Sequence, residues 1–507
     1  VTIGEIFPVV QSAINKQSDT RSDKVGANRE NTAAKIIWAR EEETFRGSFA
    51  LANSLPLRSA SLGLTPTQRI VLAIFSLGLI CAAVLDIQAL VQFSRITLLL
   101  IFMFAILFRV LLLSAHFWPQ EPKTTSSKEV DEPDIWPIYT LLLPMYREAR
   151  ILPQLAAALS KMNYPEDRLD IKLLLEADDD ETLAVAQKLN LGGHWEIIVV
   201  PDIGPRTKPK ALNVGLDRAK GSFVTIYDAE DRPHPDQLRA AVMKFTNGGS
   251  KLACVQAPLG YYNAGHNWLT QQFALEYNAQ FQVIIPALVR LGIAFPLGGT
   301  SNHFRREALL ETQGWDPFNV TEDADLGFRL AENGWRAGVI KPPTLEEATA
   351  QVRPWVGQRS RWIKGFLQTL MVHLRGGLPG GSPIHAFGFI AGLGLAVFSA
   401  FSHAFLLIAT LICFACWPMI GPMLSTMDML LAGTGIAVAW LLLIAGQLAA
   451  QEKINLLVIT SSVMYWPLQT WAALRAALEL LHKPFHWEKT DHGHSINKQS
   501  VSDALDT

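Results

Sequence analysis

Cysteine is scarce in this sequence. Cys81, Cys254, Cys413 and Cys416 are the four among 507 residues. Three lie in apolar runs and Cys254 in a strand-like one, so no disulfide framework is implied and a cytosolic site for the polar part is allowed. Cys413 and Cys416 have a redox spacing, but within an apolar segment packing is the simpler role. Charge is scarce too, at 18% of residues, against about a quarter in ordinary soluble domains. The formal net charge is −2, which offers nothing for nucleic acid to bind.

Apolar residues fill the gap, at 49%. Ile70 to Ile87 is an apolar run closing on Asp86, and Thr97 to Trp118 is a second, broken by Arg109. Each is close to the ~20 residues that cross a bilayer core. Residues 67–118 are therefore expected to form two transmembrane helices, with Arg109 facing protein or snorkelling. Residues 1–66 are polar and mixed in charge, and read as a cytosolic tail with a helix over Ala33–Phe49. Residues 119–134 are a polar linker.

The texture then changes. Ile138–Leu143, Ile171–Leu175, Trp195–Val200 and Phe223–Tyr227 read as buried strands, with helical patterns at Leu152–Met162, Thr182–Leu189 and Leu212–Ala219. Strands alternating with helices predict a mostly parallel α/β sheet over 135–375, with ligands at the carboxyl ends of its strands. Past the glycines at 376–381, residues 384–480 hold three or four further transmembrane helices. The excess of Lys and Arg in the sheet region and near Arg475, Lys483 and Lys489 places these parts on the cytosolic side. That favours two short spans within 384–420 and six spans in all. The rival is an interfacial helix plus one span.

Polar clusters fall where the sheet would bind ligands. Asp228-Ala229-Glu230-Asp231 ends a strand, and acids at alternate positions can share one Mg²⁺ or Mn²⁺ that neutralises a diphosphate. Either Glu230 or Asp231 can be the second ligand, with Asp228 and Glu230 the expected pair. Thr321-Glu322-Asp323-Ala324-Asp325 opens an amphipathic helix, where the helix dipole favours acids. Gln358, Arg359, Arg361 and Trp362 then gather an amide, two guanidinium groups and an indole on about one turn. Such a group can stack on a sugar and bind a pyrophosphate. The histidines 482, 486, 492 and 494 match no closed metal site.

Thr321-Glu322-Asp323 followed by Gln358-x-x-Arg361-Trp362 resembles the acceptor end of membrane-embedded family 2 glycosyltransferases, the cellulose, chitin, hyaluronan, curdlan and mixed-linkage glucan synthases. The resemblance covers roughly residues 65–495. It implies a GT-A-type (Rossmann-like) α/β domain plus a helical transmembrane bundle. Pro144-Met145-Tyr146-Arg147-Glu148 resembles the opening of the family's nucleotide pocket. Glu176 and Asp178 stand where the family bonds the uracil ring, though its usual Asp-Asp-Gly is absent. Lys208 aligns with a lysine facing uridine and phosphate, whereas Lys210 departs from a glycine. Gln256 is similar to a glutamine near the acceptor channel, and Gly298–Asn302 to the stretch before the base. Trp487, Lys489 and Thr490 are similar to a mobile gating segment within the tail 481–507.

Transfer from a nucleotide sugar needs a base, a neutralised leaving group and a donor held in line. The expected base is Asp323, with Glu322 beside it. Arg361 and, more weakly, Arg359 would face the diphosphate, and Trp362 the acceptor. One base without a nucleophile implies inversion. The resemblance implies processive growth of a β-glycan from a UDP-sugar, with export through the spans in an inner membrane and regulatory or export subunits as partners. UDP-glucose is the first choice. UDP-N-acetylglucosamine and single transfer to a lipid carrier are alternatives.

Overall fold

The computed structural model of the chain describes residues 34–118, 133–189, 191–377, 382–415 and 426–486, with backbone alone over 404–407, 409–410 and 412–415. The expected gating residues Trp487, Lys489 and Thr490, and nearly all of the linker 119–134, lie outside these residues.

The tail expected through residue 66 is instead, from residue 34, part of the sheet domain. β1 (Lys35–Trp38) pairs in parallel with β4 (Trp195–Val200). Helix α1 (Glu41–Ser54) follows, beginning at residue 41 rather than 33. Glu43 accepts the Arg40 N–H at 3.2 Å, and Glu41, Glu42 and Glu43 sit at the positive end of the dipole. Its buried face is Thr44, Gly47, Ser48 and Leu51. That face is small rather than apolar because a neighbouring helix comes close: a Cβ on Gly47 would lie 3.1 Å from Val214.

Two long helices come next, α2 (Pro66–Leu85) and α3 (Ile87–Phe117). Thr65 and Gln68 form a capping box at the first. Asp86 alone separates the two, accepting the Ala89 N–H at 2.9 Å. This makes a hairpin whose open end meets the sheet domain. Gln68 donates to the Met371 carbonyl at 2.7 Å, and Arg290 to the carbonyl of Ala115 at 2.7 Å. Arg109 is half-buried against protein, as expected.

The remaining strands are β2 (Tyr139–Met145), β3 (Leu169–Glu176), β5 (Phe223–Ile226), β6 (Arg232–Pro233), β7 (Leu252–Gln256), β8 (Leu259–Tyr261), β9 (Asn302–Arg305), β10 (Arg336–Val339) and β11 (Thr344–Glu346). The main sheet has the order β1-β4-β3-β2-β5-β9-β7-β10. Its first five strands are parallel, and β9 runs antiparallel to β5 and β7. Leu141–Leu143 and Leu173–Leu175 are fully buried, as parallel strands covered on both faces must be. A small sheet β6-β11-β8 stands beside it. The helices that carry the site are α4 (Lys208–Asp217), α5 (Trp268–Asn278), α6 (Glu322–Glu332) and α7 (Val352–His373).

The two short spans expected within 384–420 are, over the described residues, one helical run. Pro383–Gly388 passes through a π-helical turn at Phe389–Gly394 into α8 (Leu395–Ala415). The run is nearly uncharged, and its glycines are absorbed without a break. α9 (Thr426–Ala449) and α10 (Ser462–His482) complete the bundle. Among the described residues four helices are long and apolar enough to cross a membrane: Pro66–Leu85, Ile87–Phe117, Pro383–His403 and Thr426–Ala449. Helix α10 carries Arg475, Glu479 and an internal Pro467, and packs on α7 and α8.

Candidate active site

Helix α6 brings its acids to the centre of the domain. Asp323 is 5% exposed, and its Oδ1 meets no hydrogen-bond partner among the described residues. Burial, then Glu322 and Asp228, push its pKa well up, against the pull of Lys208 and Arg361. Glu322 is likewise raised by burial, with Lys208 and Arg361 opposing. Gly299 closes the opposite side: a Cβ there would lie 3.8 Å from Asp323 Oδ2. Asp325, the third carboxylate, does a different job. It accepts from Arg329 Nε at 2.6 Å and pairs with His373 Nε2 at 3.1 Å. Burial works against its charge, but these partners hold its pKa below the usual value and lock α6 to the end of α7.

The metal-motif acids face this helix. Lys208 Nζ lies 2.7 Å from Asp228 Oδ1 and donates to the Gly299 carbonyl at 2.6 Å. The fields of Asp228, Asp323 and Glu322 outweigh burial and keep Lys208 protonated. Asp231 is 1% exposed; its Oδ2 accepts the Asp228 N–H at 2.7 Å and the Thr300 hydroxyl, and its buried Oδ1 meets no hydrogen-bond partner among the described residues. Glu230 and Asp228 are the half-exposed pair. Glu346 was not expected here. Leu345 pairs with Arg232 across β6 and β11, so Glu346 comes beside the acidic turn, and its buried Oε1 has no partner among the described residues. A lone glutamate carries no spacing signal, and only strand register brings it here.

The residues expected to border a nucleotide lie at the ends of β2 and β3. Tyr146 donates to Asp178 Oδ2 at 3.1 Å, and Arg206 reaches the same oxygen at 2.9 Å. Arg147 has φ 56°, and its N–H donates to Asp179 at 2.5 Å. The Glu148 N–H donates to Thr182 at 3.1 Å. Glu176 departs from expectation. It is buried and paired at 2.8 Å with Lys210, which is fully buried, so these two satisfy each other and Asp178 is the acid left facing outward.

On α7 the two arginines part company. Arg359 is held by Glu276 through two bonds of 2.7 Å, with Tyr465 at 3.3 Å. Its guanidinium lies over the rings of Phe273 and Trp362 at 4.4 and 4.5 Å. This corrects the expectation that it faces a diphosphate, because its charge is already neutralised within the helix cluster. Burial lowers the Arg361 pKa while Glu322, Asp228, Glu230 and Asp323 raise it, so Arg361 is the one that feels the acids. Trp362 stacks near Tyr277, with centroids 6.3 Å apart. Gln358 accepts from Thr349 at 3.3 Å. Gln256 is buried and braces the loop opposite, accepting the Gly298 N–H at 2.8 Å.

Among the described residues no three His, Cys, Asp or Glu form a ready metal site. Two carboxylates are available in Asp228 and Glu230, a set that suits Mg²⁺ or Mn²⁺ when phosphate oxygens and water supply the rest.

The family model described as "Glycosyl transferase family group 2" matches residues 223–450, from β5 to the end of α9. That span contains Asp228, Asp323, Arg361 and Trp362. Residues 223–450 are thus similar to the family 2 glycosyltransferases. The chain is 26% identical over 272 residues to glucomannan 4-beta-mannosyltransferase 7 of Arabidopsis thaliana, covering 50% of this chain and 48% of that one. It is 27% identical over 247 residues to the beta-monoglucosyldiacylglycerol synthase of a Synechocystis species, covering 47% and 50%. The chain thus spans about half the length of these curated relatives. Mannosyltransferase PcManGT from Pyrobaculum calidifontis, solved with GDP-Man and Mn²⁺, aligns with TM-score 0.51 at 19% identity, over 75% of this chain and 96% of that one. The chain therefore has a GT-A-type fold, joined to apolar helices.

Proposed function

We propose that the chain transfers a hexose from a nucleoside diphosphate donor to a sugar hydroxyl with inversion, and repeats the step on a growing β-glycan. One observation carries the reading: Asp323, with a buried free carboxylate oxygen, faces Gly299 beside the Lys208–Asp228 pair. Asp323 takes the acceptor proton, its raised pKa making it a stronger base than an ordinary carboxylate. Lys208 and Arg361 offset the charge of the leaving diphosphate. Asp228 and Glu230 would hold Mg²⁺ or Mn²⁺, which would supply further charge neutralisation there. Tyr146 and Asp178 border the nucleotide, and Trp362 with Tyr277 forms a ring surface for the acceptor.

UDP-glucose is the favoured donor, with UDP-N-acetylglucosamine as runner-up. The spans would carry the product outward across an inner membrane, with the sheet domain in the cytosol. The plant relative's name, a glucomannan mannosyltransferase, supports a polysaccharide product and adds GDP-mannose to the donors worth testing. The cyanobacterial relative's name supports a second reading, a single transfer to a lipid. Full-length protein in nanodiscs, given each donor with Mg²⁺ or Mn²⁺, tests both. The expected result is a long β-glycan from one donor, absent in Asp323→Asn. A lipid bearing one sugar would select the second reading.

A further inference from the structure

Just past Trp362, helix α7 presents Lys364, Gly365 and Gln368, all buried. Gly365 leaves room for Thr321, since a Cβ there would collide with the threonine side chain. Gln368 Oε1 accepts the Val320 N–H at 3.0 Å, and its Nε2 donates to the carbonyls of Pro484 at 3.0 Å and Phe318 at 3.4 Å. Lys364 Nζ donates to the His486 carbonyl at 2.8 Å and to Lys483 at 3.4 Å, and pairs with Glu479 at 3.1 Å. Phe485 packs edge-on against Phe318, with centroids 5.4 Å apart. Two separate stretches thus meet on one turn of α7. One is 318–321, which launches α6 and its Asp323. The other is the strap 483–486, which leaves α10.

We propose that Lys364 and Gln368 are positioning residues of the transfer reaction, tying the strap 483–486 to the turn that presents Asp323. The proposal rests on Asp323 as base. A buried ammonium and a buried amide must each keep their partners. If the strap leaves, Gln368 loses its closer acceptor and Lys364 loses two carbonyls. Gln368 then turns to find another partner and releases the Val320 N–H, two residues from Glu322. The strap is in this sense part of the support of the base.

The test uses the full chain in nanodiscs, with Lys364→Met, Lys364→Arg and Gln368→Met. Three quantities are read: kcat and donor KM, the thermal midpoint, and hydrogen exchange at the Val320 amide. The expected result is a kcat at least tenfold lower in Lys364→Met and Gln368→Met, donor KM within threefold, faster exchange at Val320, and partial recovery in Lys364→Arg. A kcat within twofold of wild type overturns the proposal, as does a loss that merely tracks the folded fraction. If the wild type turns over no donor, the reading of Asp323 has failed separately. Val320 exchange then decides the tie alone: faster in the variants supports it, unchanged refutes it.

Discussion

Lys208 Nζ sits 2.7 Å from Asp228 Oδ1, so a lysine at the start of α4 already neutralises the first acid of the metal motif. Asp228 and Glu230 would hold a divalent ion that supplies charge neutralisation, and the Lys208 ammonium would then be free to face the diphosphate. Lys208→Met should therefore bind Mn²⁺ at least as tightly as wild type, while kcat/KM falls by ~100-fold or more. Mn²⁺ titration with donor kinetics checks this. Parallel loss of metal affinity would argue for a structural lysine.

With Asp323 as the proposed base, Asp323 and Glu322 should set the acid limb of the pH profile. As a base Asp323 would have to be ionised, and burial followed by the Glu322 charge raises its pKa. Activity should be lost as pH falls through that raised value. Glu322→Gln removes one raising charge and should move the limb of kcat/KM to lower pH. Asp323→Asn should cost ~10²–10⁴ in kcat with donor binding retained.

Arg359 and Arg361 should fail differently. Arg359→Met removes both guanidinium bonds to Glu276, leaving it the Tyr465 hydroxyl at 2.8 Å, and empties a cage of rings, costing roughly 1–3 kcal/mol of stability. Arg361→Met should leave the thermal midpoint within a few degrees and lower kcat. Thermal unfolding measured beside turnover separates the two.

Asp316 ties the N-terminal segment to the turn before α6. It accepts from Ser59 at 3.0 Å and the Ala60 N–H at 2.6 Å. Burial, then Asp325, raises its pKa to about 6. Its folded-state value is above the unfolded one, so the associated stability is full below about pH 4 and is lost as pH rises through about 6. The thermal midpoint should fall across this window, and the fall should be smaller in Asp316→Asn.

Much of the sheet could be read in advance because buried parallel strands are continuous apolar runs, as in Ile197–Val200. β1 could not, since its four residues are largely exposed and their order comes from pairing with β4. α1 hid its contact face behind Gly47 and Ser48, chosen for closeness rather than apolarity. The split between Arg359 and Arg361 was legible in principle: residues two apart on a helix point about 200° apart, so both could not face one diphosphate. Lys364 and Gln368 carry no sign of burial in the sequence, because nothing local marks the carbonyls that bury them. Within 384–420, a uniform apolar run holds no signal for where a helix stops.

The central claim is tested most directly by the product. Purified full-length protein in nanodiscs would be given UDP-glucose, UDP-N-acetylglucosamine or GDP-mannose with Mg²⁺ or Mn²⁺, and the size and linkage of the sugar product measured. The account predicts a long β-linked glycan from one donor, lost in Asp323→Asn. An α-linked product, or activity that survives Asp323→Asn, would contradict it.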